Sequence, residues 1–377
     1  MCVAIATNLP PILLTTFSEA FGGAPGLSDE QLGRISAFVF IGFVVGIAFA
    51  SPLADKLGAK LFVVLGLLLV CGGLLALAAS VNYALLLAAV LVLGTGAGTL
   101  EVVLSPIVAS LEPHRRTAAL NWMHSFYCVG AMCTVTIGSA ALHIGTPWRL
   151  LTVGIVTVPL TILVGMAGAG RLNLVHDDHK DAPPSATITK PIFLVMLALI
   201  GLGGATEIGM AQWLPAYAET ILGFSKATGG LALAGFSLAM LVGRVIAGTA
   251  VTRNNAIHVM LVCCAASAAA VLLGCLLNNP AGALFFCIAL GLPVCCFWPT
   301  TLGVASDRFP AGGAFMFGLL AAFGNAGCMV MPWIVGWRAD QTDLRQGLLL
   351  VAVCPIAMLL LLTGLAFRSR IQHPAAR

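Results

Sequence analysis

The chain has 377 residues, of which 60% are hydrophobic and only 8% are charged, and its mean hydropathy is +1.04. An ordinary soluble domain carries roughly 25% charged residues, so this composition excludes a water-soluble fold and indicates an integral membrane protein in a lipid bilayer. The formal net charge of +4 is small, and the basic residues lie in separate loops rather than one patch, which excludes nucleic acid as a partner.

Apolar runs between charged residues or Pro, Gly and Asn predict about 12 membrane-spanning helices, because a helix needs about 20 apolar residues to cross a bilayer. The predicted spans one to twelve cover residues 1–17, 35–54, 61–80, 83–110, 117–142, 148–169, 191–216, 228–252, 257–277, 281–305, 312–336 and 346–367. The predicted fold class is therefore an all-α membrane protein. No length remains for a separate catalytic domain, so we expect no enzyme and no catalytic residues.

The longest polar segment lies between spans six and seven. Residues 171–190 read RLNLVHDDHKDAPPSATITK, a stretch rich in charge and Pro that is typical of a linker. We predict an N-terminal six-helix bundle at residues 1–170, a linker at 171–190 and a C-terminal six-helix bundle at 191–377. Two bundles joined in this way form the architecture in which the halves rock about a site near the middle of the membrane.

The distribution of Lys and Arg predicts the orientation of the chain. Of its 18 Lys and Arg residues, one side of the predicted membrane holds only Arg34, Arg149, Lys226, Arg338 and Arg345. Cytoplasmic loops carry the excess of Lys and Arg. We therefore expect the linker and both termini in the cytoplasm, with a bacterial inner (plasma) membrane as the location.

Two loops contain related motifs at corresponding places in the two halves. Residues 51–60, after span two, read SPLADKLGAK and resemble the major facilitator superfamily signature G-x-L-a-D-r-x-G-r-k. A degenerate second copy runs from Gly243-Arg244 to Arg253, after span eight. The resemblance implies two pseudo-symmetric six-helix bundles that transport a small solute by alternating access.

Four further segments resemble the fucose permease-like sugar:proton symporters within that superfamily. Residues 99–106 (TLEVVLSP) are similar to the L-E-x-x-x-N-P stretch of that family, and residues 120–126 (LNWMHSF) to its L-N-x-x-Q-S/T-F. Residues 6–14 (ATNLPPILL) resemble its first span, and residues 298–300 (WPT) its aromatic-Pro-Thr in span ten. The resemblance covers nearly the whole chain and implies proton-coupled symport, with a sugar as the preferred solute.

The family's proton relay is incomplete in this chain. The family has an acidic residue in span one where this sequence has Pro11. Three alternatives follow: Glu101 works alone, Glu207 or His124 provides the second proton site, or the protein is a sugar uniporter. A drug or organic-solute:proton antiporter is a further alternative, although the segment from Cys128 to Cys133 lacks the G-P motif of such antiporters.

Ionisable residues inside predicted spans are the first candidates for the solute and proton site. Such a group costs about 2.5 to 3.5 kcal/mol at the bilayer centre and usually marks a transport pathway or proton relay. Glu101 lies in span four and Glu207 in span seven. In span five, Asn121 and His124 belong to a polar stripe at helical spacing, which must face protein or water. His124 has a side chain suited to proton handling near neutral pH.

Further candidates complete the predicted site and its gate. Gln212 and Trp213 in span seven offer an amide and an aromatic face to a sugar, and Asn8 in span one and Asn325 in span eleven offer further amides. Asp55 in the signature loop and Arg244 in its second copy are predicted gate residues. The Cys residues lie in apolar runs without metal-ligand spacing, so we expect no metal, no cofactor and buried thiols. We expect a monomer.

Overall fold

The computed structural model describes residues 1–23, 26–111, 116–168, 191–252, 255–309 and 313–372, and all regular secondary structure in these ranges is helical. The α-helices are Cys2–Phe21, Asp29–Leu57, Ala59–Ala79, Tyr83–Leu111, Arg116–His143, Trp148–Ile155, Thr157–Ala167, Pro191–Thr220, Lys226–Ala250, Ala256–Leu276, Pro280–Ala289, Gly291–Val294, Phe297–Arg308, Gly313–Gln341, Leu344–Leu349 and Val353–Gln372, with a 3-10 turn at Leu350–Ala352.

These helices form twelve spans, which keep the numbers used above. Span six consists of two consecutive helices (148–167), span ten of three (280–308), and span twelve of two with the 3-10 turn between them (344–372). Within the described residues, 11 spans are long and apolar enough to cross a membrane. The remaining helix, span one, contains the polar residue Asn8 and an internal Pro10-Pro11 pair. The predicted all-α membrane fold is confirmed.

Span two begins at Asp29 rather than at residue 35. The Ser28 hydroxyl accepts a hydrogen bond from the Gln31 backbone N–H at 3.3 Å, and the Gln31 side chain accepts one from the Ser28 N–H at 3.0 Å. This capping box satisfies N–H groups that a helix start leaves without partners. Asp29 and Glu30 in the first turn also favour the positive end of the helix dipole. The helix therefore extends through a polar turn that an apolar count omits.

Glycines allow span four to pack closely against its neighbours. A Cβ added at Gly94 would overlap the backbone oxygen of Val39 in span two, and one at Gly98 would overlap that of Phe43. Because any other side chain would push the two helices apart, these glycines fix the contact between spans two and four. The predicted packing role of the Gly-rich run in span four is confirmed.

The spans form two pseudo-symmetric six-helix bundles that meet at a central interface. In the first half, span four packs against spans two and three, and span one against span five. In the second half, span eleven packs against span seven, and span twelve against span nine. Across the interface, span two packs along span eleven, span five along span eight, and span one against span seven.

The two halves make their described hydrogen bonds at one end of the molecule. We call it the Ser28 end, where span one ends and span two begins, and we call the opposite end, where span two ends and span three begins, the Gly58 end. At the Ser28 end, Thr15 in span one donates to Glu219 Oε2 in span seven at 2.9 Å. A Cβ added at Gly33 in span two would stand 2.6 Å from the Pro332 oxygen in span eleven.

Candidate functional site

Polar side chains from five spans lie in the middle parts of their helices and face the interface between the halves. We call this group the central cluster. Its members are Thr7 and Asn8 in span one, Glu101 in span four, Tyr127 in span five, Glu207 in span seven and Arg244 in span eight. Ionisable groups at this depth are costly unless they face protein or a water-filled space. The cluster is therefore the candidate solute and proton site.

Asn8 and Thr7 anchor span one to Tyr127 in span five. The Thr7 hydroxyl lies 2.9 Å from the Tyr127 hydroxyl. The Asn8 amide nitrogen donates to the Tyr127 hydroxyl at 3.3 Å, to the Thr7 hydroxyl at 2.9 Å and to the Ala4 oxygen at 3.0 Å. All described hydrogen bonds of the Asn8 side chain use its nitrogen, so the amide oxygen keeps its accepting capacity.

Tyr127 connects this network to the charged groups of the second half. The Arg244 guanidinium carbon lies 5.9 Å from the centre of the Tyr127 ring, within the range of a cation–π contact. The charge of Glu207 acts on both Tyr127 and Arg244. All three side chains are partly exposed although they lie far from the helix ends. The interface between the halves is therefore not closed at this level.

Glu101 faces the second half rather than lipid. Its carboxyl group acts electrostatically on the thiol of Cys328 in span eleven, and so does that of Glu207. Cys328 is buried and stands against Gly204 in span seven, where an added Cβ would be 2.8 Å from the sulfur. The two carboxyl groups thus approach one buried position from opposite halves. This is the placement that the cost of a charge in lipid requires.

Gln212 and Trp213 lie inside the second bundle. Trp213 is 0% exposed, and its indole nitrogen donates to the Pro332 oxygen at 3.0 Å. The ring therefore packs between spans seven and eleven and offers no face to a solute in this conformation. Gln212 is 3% exposed, and its Nε2 has no hydrogen-bond partner among the described residues.

Asn325 lies in span eleven, one turn before Cys328. It is 3% exposed, and its amide nitrogen donates to the Ala321 oxygen of its own helix at 3.0 Å. The neighbouring Gly324 accommodates the Trp298 ring of span ten, which an added Cβ would overlap. The predicted aromatic-Pro-Thr segment therefore packs beside Asn325. Asn325 remains a candidate that borders the central cluster.

Three predicted residues have side chains outside the part that the structure describes. Asn121 and His124 belong to the helix Arg116–His143, and Asp55 to the helix Asp29–Leu57. On the same helical face as the first two, Cys128 is buried and experiences the charges of Arg244 and Glu207. The polar stripe of span five thus faces span eight where it can be followed.

Arg244 lies with the central cluster, whereas the sequence assigned it to the gate with Asp55. It precedes the end of the helix Lys226–Ala250 and contacts Tyr127. The degenerate loop motif suggested a surface position, but the helix continues beyond the Gly-Arg pair. Tyr127 and Thr7 were not predicted as site residues. Tyr127 has one available signal, because a hydroxyl-bearing aromatic within a span needs a hydrogen-bond partner.

A set of contacts at the Ser28 end joins span two to span eleven. Both carboxylate oxygens of Asp340 accept hydrogen bonds from the start of span two, from the Asp29 N–H at 2.6 Å and the Glu30 N–H at 3.0 Å. The Trp333 indole donates to Glu30 Oε1 at 3.0 Å, and Arg34 forms a salt bridge with the same carboxylate. A residue of one half therefore caps a helix of the other. We call these contacts the Asp340 latch.

The fold and the site can now be compared with known proteins. The family model of the Major Facilitator Superfamily matches residues 1–310 and 214–377. The chain belongs to the Major Facilitator Superfamily. It is a transporter of a small solute and not an enzyme. Within the described residues, no group of three or more His, Cys, Asp or Glu side chains could hold a metal ion.

The superfamily fold extends over nearly the whole chain. The crystal structure of FucP in the outward conformation has a TM-score of 0.68 with 21% sequence identity, covering 96% of this chain and 95% of FucP. A second structure, of the E. coli fucose:proton symporter FucP, gives a TM-score of 0.67. The predicted resemblance to the superfamily and to fucose permease is confirmed.

Relatives of similar sequence have diverse names. An uncharacterized MFS-type transporter of Yersinia pestis is 23% identical over 91% of this chain and 88% of its own length. The probable nitrate/nitrite transporter NarK2 of Mycobacterium tuberculosis is 26% identical over 97% of this chain and 94% of its own. The glucose transporter GlcP of Staphylococcus epidermidis is 30% identical over 37% of this chain and 31% of its own.

Proposed function

We propose that this superfamily member is a secondary active transporter that carries a small polar solute, a sugar in the first instance, together with a proton. The observation that carries the proposal is the central cluster, in which carboxyl groups of both halves, Glu101 and Glu207, share an interface with hydroxyl and amide groups. Hydroxyls and amides match the hydrogen-bonding groups of a sugar. The fucose:proton symporter and glucose transporter among the similar proteins support the same class of solute.

Proton coupling is assigned to Glu101. A neutral carboxylic acid is far cheaper to bury than its anion, so proton binding favours the closed arrangement between the two open states. Pro11 leaves span one without the family's acidic residue. Glu207 acts on the same buried thiol as Glu101 from the other half. We therefore choose Glu207 as the second carboxylate of the relay, ahead of His124.

The transport cycle follows from the Asp340 latch. The contacts between Asp340, Asp29 and Glu30 close the Ser28 end, while side chains of the central cluster stay partly exposed. With the excess of Lys and Arg on the cytoplasmic side, the Ser28 end faces outward and this conformation opens inward. Solute entry from outside requires release of the latch. The remaining predicted site residues, among them Asn121, Gln212 and Asn325, contribute in other conformations of this cycle.

Binding of sugars to the central cluster is tested by thermal unfolding of the purified full-length protein with a panel of monosaccharides. A ligand at 100 times its Kd adds about 2.7 kcal/mol of stability. We expect at least one sugar to stabilise the wild type and to lose this effect in Glu207→Gln. Glu19→Gln removes a carboxylate from an exposed position in span one and should leave it intact. Equal stabilisation of the wild type and Glu207→Gln would contradict the proposed site.

A further inference from the structure

Arg244 is a basic side chain placed at unusual depth. The other Lys and Arg side chains that the structure describes lie near the ends of their helices. A cation in the middle of a span costs about 2.5 to 3.5 kcal/mol and faces the bundle interior or a water-filled cavity. Arg244 accordingly faces Tyr127 across the interface between the halves. Sugar hydroxyls alone do not explain why a permanent positive charge occupies a sugar site.

The surroundings of Arg244 separate positive and negative charge within one site. Its guanidinium lies 5.9 Å from the Tyr127 ring centre, and the charge of Glu207 reaches it. Glu207 itself takes part in no salt bridge or hydrogen bond with a described side chain. Both side chains are partly exposed. A ligand entering between them meets a guanidinium fork on one side and a carboxylate acceptor on the other.

We propose that the solute is a hydroxylated monocarboxylate, such as a sugar acid, whose carboxylate binds Arg244 and whose hydroxyl groups donate to Glu207 and to the Asn8 amide oxygen. The inference rests on the proposed function, which it narrows from a polar solute to an acidic one. Each group of the cluster then receives the partner that its chemistry requires. The guanidinium receives an anion, the Glu207 carboxylate receives O–H donors, and Asn8 uses the oxygen that its described hydrogen bonds leave available.

The geometry of the guanidinium favours a carboxylate over other ligands. Its planar fork of donors matches the two oxygens of a carboxylate, and charge-assisted hydrogen bonds are roughly twice as strong as neutral ones. Nitrate is also planar and anionic, but it has no hydroxyl to donate to Glu207 or Asn8. A neutral sugar satisfies those two residues but gives Arg244 only uncharged acceptors. A hydroxylated acid uses both sides of the site.

The test compares ligands that differ only in the acidic group. Binding of sodium galacturonate, galactose, sodium glucuronate, glucose and sodium nitrate is measured by calorimetry on the purified full-length protein. We expect at least one uronate to bind the wild type about 10-fold or more tightly than its neutral sugar. Arg244→Gln should reduce this ratio to near one while binding of the neutral sugar persists, which also shows that the variant is folded. Arg244→Lys, which keeps the charge and loses the fork, should give an intermediate ratio.

The control variant and the contrary outcomes separate this inference from the proposed function. Arg308→Gln removes a basic side chain from an exposed position at the end of its helix and should leave the ratio unchanged. A neutral sugar that binds as tightly as its uronate would overturn the inference and leave the proposed function standing. Nitrate binding without uronate binding would overturn the hydroxylated class. Absence of binding by all five probes would overturn both the inference and the proposed sugar function.

Discussion

Removal of the carboxylate that caps span two from the other half should shift the protein away from the conformation described here. In Asp340→Ala, the Asp29 and Glu30 N–H groups lose acceptors at 2.6 and 3.0 Å. Loss of an N-terminal cap costs about 0.5 to 2 kcal/mol. The Asp29 carboxylate repels that of Asp340, so we take about 1 kcal/mol as the net value, which is about a fivefold change in the conformational equilibrium.

A matched control exists three residues further along the chain. Asp343 accepts a hydrogen bond from the Gln346 N–H at 2.8 Å and caps the next helix of its own half. Asp343→Ala therefore also loses one cap, but it breaks no contact between the halves. The comparison of Asp340→Ala with Asp343→Ala isolates the effect of a contact across the interface from the general cost of a lost cap.

Hydrogen–deuterium exchange of the protein in lipid nanodiscs measures the shift away from the mutated position. The informative peptides contain Ser139 in span five and Gly230 in span eight, which touch at the Ser28 end on another side of the interface. In Asp340→Ala these peptides should exchange about fivefold faster, and in Asp343→Ala they should match the wild type. Unchanged exchange at Ser139 and Gly230 in Asp340→Ala, or equal acceleration in both variants, would refute the latch.

Three further substitutions test the site and the gate. Glu101→Gln mimics the protonated acid, so it should keep solute exchange in liposomes and lose accumulation driven by a pH gradient. Tyr127→Phe removes the hydroxyl that meets span one, which should weaken solute binding by about 1 kcal/mol in calorimetry. Gly336→Ala places a Cβ against the Asp29 oxygen, so it should hold the Ser28 end open and abolish uptake. Gly72→Ala, with open space around its Cβ, should transport normally.

Each of these expectations has a contrary result. A Glu101→Gln variant that still concentrates solute would remove Glu101 from the proton relay. Wild-type affinity in Tyr127→Phe would place the solute away from spans one and five. Uptake by Gly336→Ala at the rate of Gly72→Ala would show that spans two and eleven separate without passing through the close contact at Asp29.

The number and order of the spans were predictable because the signal is local and strong. Apolar runs determine where a chain can cross a bilayer, and the charged or Pro-rich breaks determine where it turns. The start of span two was placed too late because its first turn is polar and is stabilised by capping at Ser28. The sequence contains that signal in Ser28 and Gln31, so an analysis of caps together with hydropathy would have found it.

The composition of the site was less predictable because helix rotation and helix pairing depend on distant residues. Glu101 and Glu207 are conspicuous as charges within spans, but nothing local indicates that Tyr127 and Arg244 meet across the interface. Trp213 illustrates the converse. An aromatic side chain within a span gives the same sequence signal whether it stacks on a sugar or packs in a bundle, and its bond to the Pro332 oxygen depends on the neighbouring span.

The central claim, proton-driven transport of a polar solute, is tested most directly by uptake into proteoliposomes that contain the purified protein. Radiolabelled galactose or galacturonate is supplied outside, with and without an imposed gradient of acidic outside pH. The account predicts that solute accumulates above its external concentration only when the gradient is present, and that a protonophore abolishes the accumulation. Equilibration of the solute to the same level with and without the gradient would contradict proton coupling and identify a facilitated uniporter.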